Sequence, residues 1–301
     1  MALDTLQTKQ GTLVPLQPFD FGHTLHFIGD FSPALGEQRV DRGLLTKAVS
    51  INEKSVVFRV QAGTKDRAIL QYDLFSERPL DSEEEAVVVD RIRFYLSLDD
   101  DLLPFYSIAE NDPSMSRIVA QLHGFHQVKF LTPFENACWA VLTQRMAMPV
   151  ARSMKQRLIE KYGSSLTVDG MTYWAFPEAS VLSRVTQYEL AHTIGHEQKG
   201  TYLYNVAQAF DSVDEAWLRV GEYDEVAFWL RRIKGFGEWS TSFVLVRGLG
   251  RMNVVPADEK HLLAATCKAY GQPLTPSQMA ALAAGYREWG GYWALYLRTW
   301  A

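Results

Sequence analysis

Gly235 and Gly237, separated by Phe236, interrupt a helical pattern that resumes at once on the other side. Phe228, Leu230 and Ile233 precede the glycines, and Phe243, Val244, Val246 and Leu249 follow them. The segment therefore reads as two short amphipathic helices joined by a tight connection. Glycine tolerates positive φ and carries no side chain, so the chain can bend sharply and another backbone can come close. The second helix would begin with unpaired N–H groups and a partial positive charge, features that suit a phosphate without any lysine. A Gly-x-Gly turn between helices also serves as a mere compact connection, so the surrounding residues must decide.

The 301 residues fit one large or two modest domains, and 47% hydrophobic content is enough for a packed core. No run approaches the roughly 20 apolar residues of a membrane span. The N-terminal stretch lacks the basic and apolar regions of a signal peptide, so a soluble, cytoplasmic protein is expected. Cys138 and Cys267 lie in apolar helical patterns and read as free thiols, too few for the four thiolates of an iron–sulfur cluster. His192 and His196 are four apart, but the Thr-Ile-Gly between them lacks a metalloprotease glutamate, and no metal site is expected. The formal charge of −5 argues against nucleic acid until the chain is divided. Residues 1–115 hold 11 Lys and Arg against 19 Asp and Glu, whereas residues 116–301 hold 19 against 16. The acidic excess lies away from the glycine hairpin.

Leu44 to Ile51 and Ser55 to Val60 read as antiparallel strands on either side of Asn52-Glu53-Lys54. From Ser82 the pattern turns helical: Glu83-Glu84-Glu85 suits a first turn exposed to solvent, and Val87, Val88, Ile92 and Leu96 form a buried stripe. From Met115 onward nearly every segment has helical periodicity. Turn chemistry places breaks at Asn111-Asp112-Pro113 and at Asp169-Gly170.

Residues 230–262, with Lys234-Gly235-Phe236-Gly237-Glu238 followed by Val254-Val255-Pro256-Ala257-Asp258-Glu259, resemble the helix-hairpin-helix element of the base-excision DNA glycosylase superfamily. Residues 124–163, containing Pro133-Phe134-Glu135 and Gln144, are similar to the first helices of the bacterial 3-methyladenine DNA glycosylase II family. Pro18-Phe19-Asp20 and the closing helix around Trp289 to Tyr296 resemble that family's two ends, and the match is weakest between about residues 30 and 115. The resemblance implies an α+β fold: a small antiparallel β-rich N-terminal domain over residues 1–112, then two helical lobes over 113–301 with the hairpin at 230–248. It also implies a monomer that binds damaged double-stranded DNA, associates with the nucleoid when bound, has no membrane partner, and needs no cofactor apart from a monovalent cation at the hairpin.

Cleavage of an N-glycosidic bond builds positive charge on the sugar, so the site needs a fixed carboxylate beside C1′, and the base must first leave the duplex. Asp258 and Glu259 are the two candidates. Counting without gaps from Trp239 puts the family's catalytic aspartate at Glu259, whereas residue type favours Asp258. Lyase-bearing relatives keep a lysine nucleophile two residues beyond the second hairpin glycine. Trp239 stands there in this chain, and an indole forms no Schiff base, which implies a monofunctional enzyme. Trp239 and Phe243, four apart, can share one face toward a base pocket, and electron-rich rings favour cationic alkylated purines; equally, they can be core. Tyr292 and Trp293 are further candidates for the pocket wall. Gln144 and Arg145 lie in a turn that resembles the family's duplex-probing loop, where a side chain fills the gap left by the flipped nucleotide. With Lys234, Gly235, Phe236, Gly237 and Glu238 they make up the expected DNA-contact set. Two other readings stay open: a paralogue that binds damaged DNA without cutting it, and a glycosylase for oxidised or deaminated bases.

Overall fold

The computed structural model describes residues 6–29, 31, 36–64, 68–253, 255 and 260–301. Its N-terminal part is a five-stranded antiparallel sheet in the order β1-β5-β4-β3-β2, formed by Gln7–Leu13, Gln38–Asp41, Leu44–Ile51, Lys54–Ala62 and Leu70–Ser76 in chain order. The expected hairpin is present. Ile51 pairs with Lys54, and Asn52 and Glu53 turn the chain with φ of 51° and 64°, the conformation of a tight two-residue loop. Alternation along β4 sends Val56, Phe58 and Val60 to one face, where they pack with helices α1 (Phe21–Gly29) and α2 (Ser82–Leu96).

The α2 helix starts where its residues predict. Asp81 caps the first turn and Glu84 closes a capping box. Glu84 differs from the solvated residue expected: it is buried and bonded to Arg78 and Asn52.

Three large cores and a smaller one on the outer face of the sheet form among the described residues. The first joins the sheet to α1 and α2 and extends along the chain to Leu98, with Val128 and Leu131 added. The second surrounds α5 (Pro133–Thr143), whose residues are buried from Pro133 through Leu142, and gathers α6 (Met148–Tyr162), α8 (Gln187–Ile194), α9 (Glu197–Ser212) and α11 (Tyr223–Arg232). The third combines α3 (Leu103–Ala109) and α4 (Pro113–Gln121) with α13 (Lys260–Tyr270) and α15 (Gly290–Trp300). The two helical lobes are thus composed differently from the expected division at residue 112. That point falls inside the third core, where Leu102, Phe105 and Tyr106 pack with Met115, Ile118 and Tyr296.

Asp169-Gly170 is not a domain break either. With φ of 49° and 74° these residues turn a second hairpin, β6 (Ser164–Val168) to β7 (Met171–Ala175). Leu166, Val168, Tyr173 and Ala175 cover Ala48 and Val57 on the outer face of the main sheet. A hairpin inside the helical region therefore closes the N-terminal domain. Among the described residues no helix is long and apolar enough to cross a membrane.

Candidate nucleic-acid interface and base pocket

The two glycines of the hairpin do different work. α11 ends at Ile233, and α12 (Glu238–Phe243) starts from Gly237 with no side chain capping it. Gly235 has φ of +109°, and a Cβ there would lie 2.4 Å from the Tyr202 ring, so conformation and packing both exclude other residues. Gly237 is extended, and a Cβ there would meet nothing within 4 Å. Its bareness faces outward and leaves the helix start accessible to a ligand. Lys234, Glu238 and Trp239 are exposed beside it, Phe236 is partly buried against the second core, and Glu238 lies 3.7 Å from Arg231.

Gln144 ends α5 and reaches the hairpin from behind. Its Nε2 donates to the Gly235 carbonyl at 2.8 Å and to Ser240 Oγ at 2.9 Å. The turn that carries Gln144 is itself held by Lys199, whose ammonium donates to the carbonyls of Val141 at 2.6 Å and Gln144 at 2.9 Å. Burial pushes the Lys199 ammonium below its ordinary value. The expectation that Gln144 probes the duplex is therefore corrected: its amide is spent inside the protein, fixing one loop to the other. Arg145, next in the chain, is exposed with φ of 51° at the tip of the turn, flanked by exposed Met148 and Val150. The sequence held no local signal for Lys199 or Ser240, because both act across chain separations of more than fifty residues.

The base-pocket candidates separate cleanly. Trp239 is 54% exposed, and its ring stacks on Phe243 at 5.2 Å with 10° between the planes. A large aromatic left that open is not core packing. Phe130 meets Phe243 edge-on at 6.1 Å, and Phe31 meets Phe130 at 5.3 Å, which extends an aromatic lining inward. Tyr292 and Trp293 are a correction: they are 1% and 0% exposed and belong to the third core. The Tyr292 hydroxyl is bonded to Asp100, and Trp293 donates to the Tyr270 hydroxyl at 3.3 Å, so packing and hydrogen bonding withdraw both from any open wall. Asp258 and Glu259 lie outside the described residues, between Val255 and the start of α13 at Lys260.

Beyond Phe243 the helix widens into a π turn, Val244–Gly248, and carries Arg247 inward. The Arg247 guanidinium carbon lies 5.2 Å from the ring centroids of both Phe27 and Phe31. A cavity of about 440 Å³ lies elsewhere, between β3, the start of α2, the start of α5 and residues 176–180. Its lining includes Glu37, Lys47 and Glu135, and it joins the N-terminal domain to the helical region.

No family model matches the chain. It is 26% identical to the DNA-3-methyladenine glycosylase of Bacillus subtilis (strain 168) over 262 residues, covering 86% of each protein. The 3-methyladenine DNA glycosylase from Archaeoglobus fulgidus has the same fold, with a TM-score of 0.78 at 18% identity over 96% of this chain and 98% of that one. In sequence and in fold the chain is similar to the 3-methyladenine DNA glycosylases. The apo form of the Clostridium acetobutylicum 8-oxoguanine glycosylase/lyase also shares the fold, at a TM-score of 0.69 and 17% identity over 100% of both chains. Fold alone therefore leaves base preference and lyase chemistry to the residues of the site. In this chain a bare hairpin, an exposed turn bearing Arg145 and exposed Trp239 stacked on a partly buried Phe243 adjoin one another.

Proposed function

We propose that the chain is a monofunctional DNA glycosylase that flips an alkylated purine from duplex DNA and hydrolyses its N-glycosidic bond, leaving an abasic site. One observation carries this reading: exposed Trp239, stacked on Phe243, stands on the helix that begins at the open hairpin. Backbone held at the helix start and a base stacked one or two turns further along describe a single extruded nucleotide.

The hairpin takes phosphate through backbone N–H groups and so fixes position without reading sequence. Arg145 fills or borders the space that the base vacates. The electron-rich rings of Trp239 and Phe243 favour a purine made cationic by alkylation, which is also a good leaving group. The carboxylate just before α13, Asp258 or Glu259, stabilises the oxocarbenium-like sugar and orients water. The C1′–N bond breaks with its electron pair passing to the base, water oxygen bonds to C1′, and the carboxylate takes the water proton. A monovalent cation at the hairpin belongs to the same proposal. The Ile233 and Gly235 carbonyls would hold it, since each already accepts one hydrogen bond, from Phe236 N–H and Gln144 respectively, and keeps a second lone pair. The names of the relatives speak for cutting over mere binding.

A panel of lesion-bearing duplexes, assayed with and without alkali, tests the proposal. Release of free alkylated purine with strand breaks only after alkali supports it. Breaks without alkali, or no base release from any duplex, overturn it.

A further inference from the structure

Lys199 stands where the helical pattern calls for an apolar residue. The buried stripe of α9 runs through Leu203, Val206, Ala207 and Phe210, and Lys199 begins it one turn ahead of Leu203, only 4% exposed. It also lies in the first turn of that helix, where its backbone N–H is capped by the His196 side chain and the partial positive charge of a helix start disfavours a cation. Burial disfavours the same charge again. An apolar side chain at this position would meet neither penalty.

What the ammonium gains lies on another helix. It donates to the carbonyls of Val141 at 2.6 Å and Gln144 at 2.9 Å, closing the C-terminal end of α5, whose own last turn has no basic residue. The second carbonyl belongs to the peptide that joins Gln144 to Arg145. In a planar trans peptide the N–H points opposite to the C=O, so holding this carbonyl turns the Arg145 N–H away from Lys199. Arg145 follows with φ of 51°, a left-handed conformation that a residue with a Cβ keeps only when its surroundings hold it. Those surroundings are specific. The Gln144 side chain is bound to Gly235 and Ser240 and its carbonyl to Lys199, so residue 144 is fixed in two directions before the chain reaches Arg145.

We propose that Lys199 is a positioning residue for lesion binding: it holds the Arg145 turn, before DNA arrives, in the shape that enters the space left by an extruded nucleotide. This inference rests on the glycosylase reading above and gives a part in it to a side chain buried behind the contact surface. A turn shaped in advance avoids the cost of ordering it at binding. The gain therefore appears wherever Arg145 is used, and is absent where the hairpin alone holds phosphate.

The test is a double-mutant cycle in the full-length protein: Lys199→Met, Arg145→Ala and the two together, each read as affinity for a duplex with an abasic site and for an undamaged duplex. Lys199→Met continues the apolar stripe of α9 and removes the donors. It is expected to weaken binding to the abasic duplex about tenfold and to change binding to the undamaged duplex by less than about twofold. Arg145→Ala is expected to give a loss of the same size, and the double variant to be no weaker than either single one, because Lys199 acts through Arg145. Lys199→Arg, which keeps charge and donors, is expected to recover part of the affinity. Thermal unfolding of every variant separates these effects from loss of fold, and if Lys199→Met unfolds at the assay temperature, Lys199→Gln, whose neutral amide reaches less far, takes its place in the cycle. Equal weakening toward both duplexes, or single losses that add in the double variant, overturns the proposal. So does a folded Lys199→Met protein that keeps the wild-type preference for the abasic duplex. A wild type without that preference that also releases no base from alkylated DNA overturns the glycosylase reading, and this inference with it.

Discussion

Gln144 Nε2 donates to the Gly235 carbonyl at 2.8 Å, and this bond ties the end of α5 to the middle of the hairpin. Because the same amide also reaches Ser240, one side chain fixes the distance between the Arg145 turn and the helix that carries Trp239. Replacing Gln144 by Leu removes two partly buried hydrogen bonds, at a cost of about 1 kcal/mol each in stability. The expected functional loss is larger: about tenfold weaker binding to a duplex containing an abasic site, since both contact loops lose their mutual register. Fluorescence anisotropy measures it. A Gln144→Leu protein with lowered thermal stability and unchanged affinity would show that the bond serves folding alone.

The hairpin glycines are expected to respond oppositely. Gly235→Ala places a Cβ against the Tyr202 ring in a left-handed backbone and should destabilise the protein by more than about 2 kcal/mol. Gly237→Val meets open space and should leave the unfolding temperature nearly unchanged. It should still weaken binding to damaged and undamaged duplexes by a similar factor, because the added side chain stands between phosphate and backbone. If Gly237→Val binds both duplexes as the wild type does, the hairpin does not hold phosphate.

Lys155 anchors the opposite end of α5. It is 1% exposed and donates to Glu135 at 2.7 Å and Glu37 at 2.8 Å, with the rings of Phe130, Trp139 and Phe176 around it. Burial works against every charge here, yet the attraction of Lys155 and Lys47 holds the Glu135 carboxyl below its ordinary value. Lys155→Met strands two carboxylates and should cost about 3–5 kcal/mol, measured by urea unfolding. Adding Glu135→Gln and Glu37→Gln should restore much of the loss. An unaltered midpoint in the single variant would mean that the cluster adds nothing to the joint between domains.

What could be read in advance depended on how local the deciding physics was. The Asn52–Glu53 turn, the start of α2 and the hairpin glycines are set by neighbouring residues, and each appeared where sequence patterns place it. Asp169-Gly170 carries the same turn chemistry at a domain break as in a hairpin. The choice was made by Ala48 and Val57, more than a hundred residues earlier, whose sheet face needed a cover. Tyr292 and Trp293 fit a pocket wall as well as a core until α3 packs beside them and Asp100 takes the Tyr292 hydroxyl. Arg247 carries no local signal, because arginine is usually a surface residue and its place is set by Phe27 and Phe31 more than two hundred residues upstream.

For the carboxylates, Asp258→Asn and Glu259→Gln are expected to diverge. The catalytic member should lose most base release while retaining affinity for abasic DNA, because a charge aimed at the developing oxocarbenium contributes more to the transition state than to the ground state. Its neighbour should lose little. Two variants releasing base at the wild-type rate would remove the carboxylate from the mechanism.

Strand cleavage provides the last prediction. Borohydride traps an imine between an enzyme amine and the opened sugar, and at the position where lyase-bearing relatives keep that amine this chain presents the Trp239 indole, which cannot form one. No covalent complex with lesion-bearing DNA is therefore expected after borohydride treatment, and strand breaks should require alkali. Two other amines lie close in sequence to the site, Lys234 before the hairpin and Lys260 at the start of α13. Both are exposed, whereas nucleophilic lysines owe their reactivity to desolvation or a neighbouring cation. DNA could supply that desolvation on binding, so the variant that decides is Lys260→Ala. Efficient trapping by the wild type that disappears in Lys260→Ala would transfer the chemistry to Lys260 and make the enzyme a lyase.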